Sequence, residues 1–403
     1  MPPTEAPPFE EHFAHVLEDL RGSLTELYLA TGADPEDPQG VSRKLDFHRN
    51  LAWKLTRIMR ATDAGGVLQY LPGAAGLELV VKAFAKAGAP SPLLEAVTRA
   101  QGEFESMVEM HAGDRATLEL MLDSSGLGDH ADPLEASRKL AFRGNSGIWG
   151  IQARTRLRVA FVAPNPEDPA MLDLAQVSGL IDLRRFRSQA AWPLFNRAGF
   201  NDDGTPRGAG AEPIDTGLGE RADTMLWNEF CSEPSPEVRV VPTPLGARYE
   251  LIGDRVGNCG RTTYVYGGVS RRFAPRYLDE LNTRGEFYAD INAPTENLLF
   301  DLIVHRDLAA EMAPEVEVLL RDATDSSHNP GGATIPCTEK LRRLGSVPPR
   351  VTTPLVPRYG EIVAGVYQRM GWDPGSFRAL RFEMKCPPLP STVRLRYELP
   401  ARP

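Results

Sequence analysis

The chain has no run of eighteen apolar residues, so the sequence offers no membrane-spanning helix. Its first twenty residues, MPPTEAPPFEEHFAHVLEDL, are acidic and lack the apolar core of a secretory signal. A cytoplasmic protein that does not engage a membrane is therefore expected. Cysteine is scarce: Cys231, Cys259, Cys337 and Cys386 are the only four in 403 residues, with no C-x-x-C pair and no histidine at metal-ligand spacing. Thiolate metal sites need such spacing because a turn has to aim two sulfurs at one ion. No metal or other cofactor is expected, and the thiols are read as reduced. Positive charge is not in excess either. The 45 Lys and Arg against 54 Asp and Glu leave a net charge of −9, which argues against coating nucleic acid along the whole surface. Neither a G-x-S-x-G elbow nor an H-E-x-x-H motif occurs.

What is present suffices for a large core: 42% of residues are hydrophobic and 25% charged. The length suggests two or three domains at roughly 100–200 residues each. Proline divides the chain, with 10 of its 35 prolines before residue 150. Residues 1–8 read as a flexible tail. Phe9, Phe13, Val16, Leu17, Leu20, Leu24, Leu27 and Tyr28 recur at three- and four-residue steps, which predicts an amphipathic helix stopped at Gly32. Two short helices follow to about Ala61. Others run around Leu77–Phe84 and Leu93–Val108, from an N-cap at Asp114 to Leu122, and from about Pro133 to Leu140. Residues 9–145 are thus read as a helical bundle.

From residue 150 the period changes to two. Ala153, Thr155, Leu157, Val159 and Phe161 alternate with Arg154, Arg156, Arg158 and Ala160, which predicts a half-buried strand. Strands are also read at 238–241, 248–252, 262–266, 298–304, 316–320, 377–384 and 393–399. A hairpin turn is read at Asn201–Gly204 and long loops at 204–220 and 329–336. Few helices separate these strands, so residues 150–403 are expected to be mainly antiparallel. The fold class expected is α+β: an N-terminal helical bundle followed by a β-rich domain that senses a ligand, oligomerises or assembles.

One segment departs from its acidic surroundings. Residues 1–145 hold 14 basic against 22 acidic side chains, yet Arg43–Arg60 holds Arg43, Lys44, Arg49, Lys54, Arg57 and Arg60 against Asp46 alone. The stretch at 39–60, QGVSRKLDFHRNLAWKLTRIMR, resembles a helix-turn-helix of the bacterial repressor type. Val41, Leu45, Phe47, Ala52 and Leu55 fill that family's apolar places and Ser42 its small one. Asp46 replaces the usual turn glycine, and Asp tolerates the left-handed conformation better than most residues. The resemblance leaves His48, Arg49, Asn50, Trp53, Lys54 and Arg57 facing outward on the second helix. It implies that His48, Arg49 and Asn50 read base edges of double-stranded DNA, while Lys54, Arg57, Arg43 and Lys44 contact phosphates. A palindromic site would then imply a homodimer. Were Trp53 a core residue instead, the helix would be rotated and that register lost.

Two other readings stand beside this one. The first is a structural or interaction protein whose basic helix meets an acidic protein surface. The second is an enzyme acting through the β-rich domain, which would require a deep pocket with converging polar groups. His305-Arg306-Asp307-Leu308 and Ala313-Pro314-Glu315 resemble protein-kinase motifs, but Met312 stands where an Asn would hold a metal and no Asp-Phe-Gly separates them. They read as the polar end of a strand. Gly253–Thr263 lacks the phosphate-loop Lys and reads as a turn between strands. Arg184-Arg185-Arg187 and Arg271-Arg272 read as solvated or subunit-contacting groups, with an acidic ligand as the alternative. The seven histidines, His111 and His130 among them, read as caps or surface residues.

Overall fold

A computed structural model describes all residues except 1–6, 36, 47, 61–66, 68–69, 125–132, 189–190, 198, 201–205, 208–210, 218–223, 244–245, 254, 280–281, 322–332 and 403. Most of the N-terminal tail, Phe47, Gly126, His130, the turn at 201–204 and parts of both long loops lie outside the described residues. The protein is mixed α and β, and it separates into two compact units, Met1–Ala136 and Ser137–Pro403.

Helices α1 (Phe9–Ala30), α2 (Pro38–Leu45), α3 (Arg49–Arg60), α4 (Ala74–Lys86), α5 (Ser91–His111), α6 (Arg115–Ser124) and α7 (Pro133–Trp149) all precede the first strand. The three- and four-residue spacing of α1 buries Phe13, Leu17, Leu20, Leu24 and Tyr28 in one cluster with Val80 and Phe84 of α4 and Val97 and Met107 of α5. The Asp114 carboxylate accepts the Thr117 amide at 2.7 Å and caps α6. Helix α7 runs nine residues beyond the stop expected at Leu140. Gly144 and Gly147 lie inside it, each with open space where a side chain would sit, and an exposed helical glycine costs only about 1 kcal/mol. The stop comes at Gly150, whose φ of +67° a side chain rarely adopts, and Arg187 donates to the carbonyls of Gly147 and Ile148.

The second unit is organised by a seven-stranded sheet. Its centre is β1 (Ile151–Pro164), flanked antiparallel by β2 (Met171–Arg185) and parallel by β11 (Thr295–His305). Outside these lie β9 (Thr262–Pro275) and β6 (Glu212–Pro213) on one side, β15 (Phe377–Lys385) and β14 (Arg342–Leu344) on the other. A four-stranded sheet follows the order β10 (Arg284–Ile291), β16 (Ser391–Glu398), β12 (Glu315–Leu320) and β13 (Thr334–Ile335). A three-stranded sheet joins β3 (Ala191–Arg197), β8 (Gly246–Ile252) and β7 (Val238–Thr243), and β4 (Gly199–Phe200) pairs with β5 (Pro206–Arg207). Among the described residues every strand pairing is antiparallel except β1 with β11.

Strand β1 is not half-buried as its alternation suggests. Leu157, Val159 and Phe161 pack with Ile362, Val366 and Tyr367 of α8 (Tyr359–Met370), while Ala160 and Val162 pack with Phe287 of β10 and Val393 and Leu395 of β16. The second sheet therefore covers the face that Arg156 and Arg158 were expected to give to solvent. Arg156 is buried and donates to the carbonyls of Asp290 and Gly179 and to the Tyr266 hydroxyl. Arg158 donates to the Tyr288 carbonyl, Ser178 and Gln176. Burial and the neighbouring Arg156 push the Arg158 guanidinium down to about 10, which still leaves it charged near neutral pH.

The same two-sided burial encloses Asp301 of β11, which has no exposed surface. Arg381, its partner in register on β15, donates from Nε at 2.8 Å and from Nη2 at 2.7 Å. The Tyr359 hydroxyl donates to Oδ2 at 2.8 Å, and Arg381 also donates to the Val351 carbonyl at 2.6 Å. Removing one charge of such a pair leaves the other buried and unpartnered. Asp301→Asn should therefore destabilise the protein by about 3–5 kcal/mol. Tyr359→Phe, which keeps the ion pair, should cost about 1 kcal/mol. Urea unfolding followed by circular dichroism checks the pair, and equal losses would contradict this ranking.

Candidate nucleic-acid interface

The basic segment folds as two short helices with a tight corner. Asp37 starts α2: its Oδ1 accepts the Gly40 amide at 2.8 Å, and Pro38 occupies the first turn, where a missing N–H costs nothing. Helix α2 ends at Asp46, whose φ of 53° and ψ of 45° are left-handed. An aspartate is thus tolerated where the repressor pattern has glycine. His48 begins α3. Its carbonyl accepts the Leu51 and Ala52 amides, and its Nδ1 accepts the Asn50 amide at 3.2 Å. In the neutral ring that bond leaves the proton on Nε2, which is then a donor.

The inward face is apolar. Val41, Leu45, Ala52, Leu55 and Ile58 are buried in the same cluster as α1. Thr56 is buried too, with its hydroxyl donating to the Pro35 carbonyl at 2.9 Å. The outward face carries His48, Arg49, Asn50, Trp53, Arg57 and Arg60, all exposed, with Lys54 half-buried beside them. Trp53 is 41% exposed, so it does not rotate α3 away from the register read in the sequence. Its ring meets the edge of Tyr70 at 5.3 Å, and the Arg57 guanidinium lies 5.3 Å from the Trp53 centroid and 5.8 Å from that of Tyr70. These contacts hold the Arg57 head against an aromatic pair.

No acid lies on α3, and among the described residues no carboxylate pairs with Arg43, Arg49, Lys54, Arg57 or Arg60. Lys44 has a different position from the one its place in the motif implied. Its ammonium donates at 2.8 Å to the carbonyls of both Thr31 and Gly32, closing the C-terminal end of α1. Arg43 is exposed and donates to Gln39 one turn earlier at 3.4 Å. Arg49, Asn50, Lys54 and Arg57 come together as one stripe, because steps of three and four residues share a helix face. Sequence reasoning missed Tyr70, which reaches Trp53 from beyond the end of α3 and leaves no local signal.

The other constellations resolve differently. Arg185 donates to the Leu251 carbonyl, Arg271 to Asp173 at 2.6 Å and Arg272 to Asp168 at 2.8 Å. Arg185 is buried and serves an internal contact, while Arg271 and Arg272 stay exposed beside their carboxylates. His305 ends β11 and residues 306–311 turn, so the kinase-like motifs lie on an ordinary strand end. Gly257–Gly260 form a short 3-10 turn between β8 and β9. His111 does not cap or face solvent alone, since its Nε2 lies 2.9 Å from His12 Nδ1. All four cysteines are free, and burial with the Glu339 carboxylate pushes the Cys337 thiol up to about 11, the wrong direction for a nucleophile. Among the described residues no group of His, Cys, Asp and Glu could hold a metal, and no helix is long and apolar enough to cross a membrane.

The corner itself is testable. Asp46→Gly should leave the helix pair intact, whereas Asp46→Val forces a β-branched residue into the left-handed region at a cost of roughly 1–2 kcal/mol. Faster amide exchange along α3 in the Val variant alone is the expected readout. Compared with known proteins, the chain matches no family model, and no curated protein is significantly similar to it.

Proposed function

We propose that the protein is a DNA-binding regulator without catalytic chemistry, that α3 is its recognition helix, and that it reads a palindromic site as a homodimer. The observation that carries this reading is the stripe on α3: cationic, exposed except for the half-buried Lys54 and, among the described residues, without carboxylate partners, on a helix whose opposite face is fixed by Ala52, Leu55 and Ile58. Arg49 and Asn50 lie in the first turn of α3, where a recognition helix meets base edges. A guanidinium pairs with guanine and a carboxamide with adenine through two hydrogen bonds each. His48 stands beside them with an Nε2–H directed by its cap geometry. Lys54 and Arg57, one and two turns on, are suited to phosphates, as is Arg43 on the preceding helix. Lys44, exposed on the same preceding helix, completes the phosphate-contacting set and also closes the end of α1.

A second reading rests on Trp53, Arg57 and Tyr70. An exposed Trp–Arg pair backed by the half-buried Tyr70 is also the composition of a protein-binding hot spot, and it would suit an acidic protein surface.

Selection from a randomised duplex pool, followed by anisotropy titrations at several salt concentrations, separates the two. The expected result is an enriched palindrome. Arg49→Ala should relax preference at one position by about 1–3 kcal/mol. Lys54→Ala should weaken all duplexes alike and lower the salt slope by about 1. No enrichment, or wild-type binding by both variants, removes the DNA reading.

A further inference from the structure

A cluster of arginines in the second unit is not explained by the DNA reading. Strand β11 ends at His305, the chain turns through 306–311, and β15 and β14 complete the corner beside it. In register, Val304 pairs with Arg378, and Arg343 with Leu380. A cavity of about 390 Å³ opens there, within the roughly 300–1,000 Å³ typical of ligand pockets. Its apolar lining includes Val304, Met312 and Leu380, and its charged lining is Arg306, Arg343 and Arg378. Among the described residues no carboxylate lines it.

Elsewhere in this unit arginines meet carboxylates closely. Arg342, the neighbour of Arg343, holds Glu383 at 2.9 Å, and Arg271 holds Asp173 at 2.6 Å. The three pocket arginines differ. Among the described residues the Arg306 guanidinium reaches only Asp307, at 3.8 Å. Arg378 donates to the Phe377 carbonyl, which carries no charge, at 3.0 Å. The Arg343 side chain has no hydrogen bond or ion pair among the described residues. Three guanidiniums around an apolar pocket lower the energy of an anion that brings its own apolar body, because the head is held by charge-assisted bonds while the body leaves water.

We propose that this corner is a binding site for a small organic carboxylate, with the acid group among Arg306, Arg343 and Arg378 and its hydrocarbon on Val304, Met312 and Leu380. The site lies wholly within the second unit and is independent of whether α3 binds DNA.

Isothermal titration of the full chain with octanoate, 1-octanol, acetate and inorganic phosphate tests it. Saturable binding of one octanoate is expected, with the alcohol and acetate weaker by at least about tenfold, since each lacks one half of the interaction. Arg343→Gln, at an exposed and unpartnered position, should weaken octanoate by about tenfold without shifting the thermal midpoint. Ala310→Trp, at the exposed rim, should block the cavity and abolish binding. Octanol binding as tightly as octanoate would overturn the role of the arginines, and acetate or phosphate doing so would overturn the role of the apolar lining. Wild-type affinity in both folded variants, or no saturable octanoate binding at millimolar concentration, would remove the site.

Discussion

A strand covered on both faces cannot leave a charge to water, and much of the second unit follows from that constraint. Strands β1 and β11 sit between α8 on one side and a second sheet on the other. Asp301, Arg156 and Arg158 therefore find their partners inside. Burying a charge in low dielectric costs several kcal/mol unless it is paired or fully hydrogen-bonded. Arg381 answers Asp301 across one strand pair, and Tyr359 ties the same carboxylate to α8, so one polar cluster locks a sheet pairing and a layer contact together. Around Arg156 and Arg158 the partners are carbonyls, hydroxyls and an amide rather than carboxylates, which leaves these guanidiniums solvated by the protein itself.

The constraint gives meaning to charges that escape it. In a protein where arginine after arginine closes on a carboxylate or a carbonyl, exposed cations that have no close carboxylate among the described residues cluster on α3 and at the corner where β11, β14 and β15 meet. They differ in what surrounds them. On α3 the cations form a stripe along a convex helix beside the exposed Trp53, a shape that suits an extended anionic partner. At the sheet corner they ring a concavity with an apolar floor, which suits a small one. The proposals for the two places thus follow from the same electrostatics applied to different shapes.

The helices were the more legible part of the sequence, because an amphipathic helix with one wet face keeps a clean period. In α1 the buried residues are those the spacing named. Where both faces are covered the period blurs: β2, with Asp173, Gln176, Ser178 and Asp182 among its apolar residues, gave no alternation to read. Helix α8 had a legible stripe in Ile362, Val363, Val366, Tyr367 and Met370, set among strands and passed over. The α2–α3 surface could be read because its residues are contiguous, and local spacing decides which of them share a face. Arg306, Arg343 and Arg378 could not be brought together from spacing, since only the pairing of β11, β15 and β14 does so. Nor could spacing distinguish Lys44 from its neighbours, because its role depends on where α1 ends.

The acidity of the chain, which argues against a general nucleic-acid binder, takes a different meaning if α3 is the contact. Screening at physiological salt confines the influence of exposed charge to about 8 Å. Within that distance a duplex at α3 meets Arg49, Lys54 and Arg57 with no acid on the same helix, while most of the acidic side chains of residues 1–145 lie elsewhere in the sequence. Were α3 the contact, repulsion from acids distant from it would penalise other approaches more than the docked state. On the proposed reading, an anionic module with a cationic stripe would exchange non-specific affinity for a defined orientation, which a recognition helix needs before side chains such as Arg49 and Asn50 could discriminate one base pair from another.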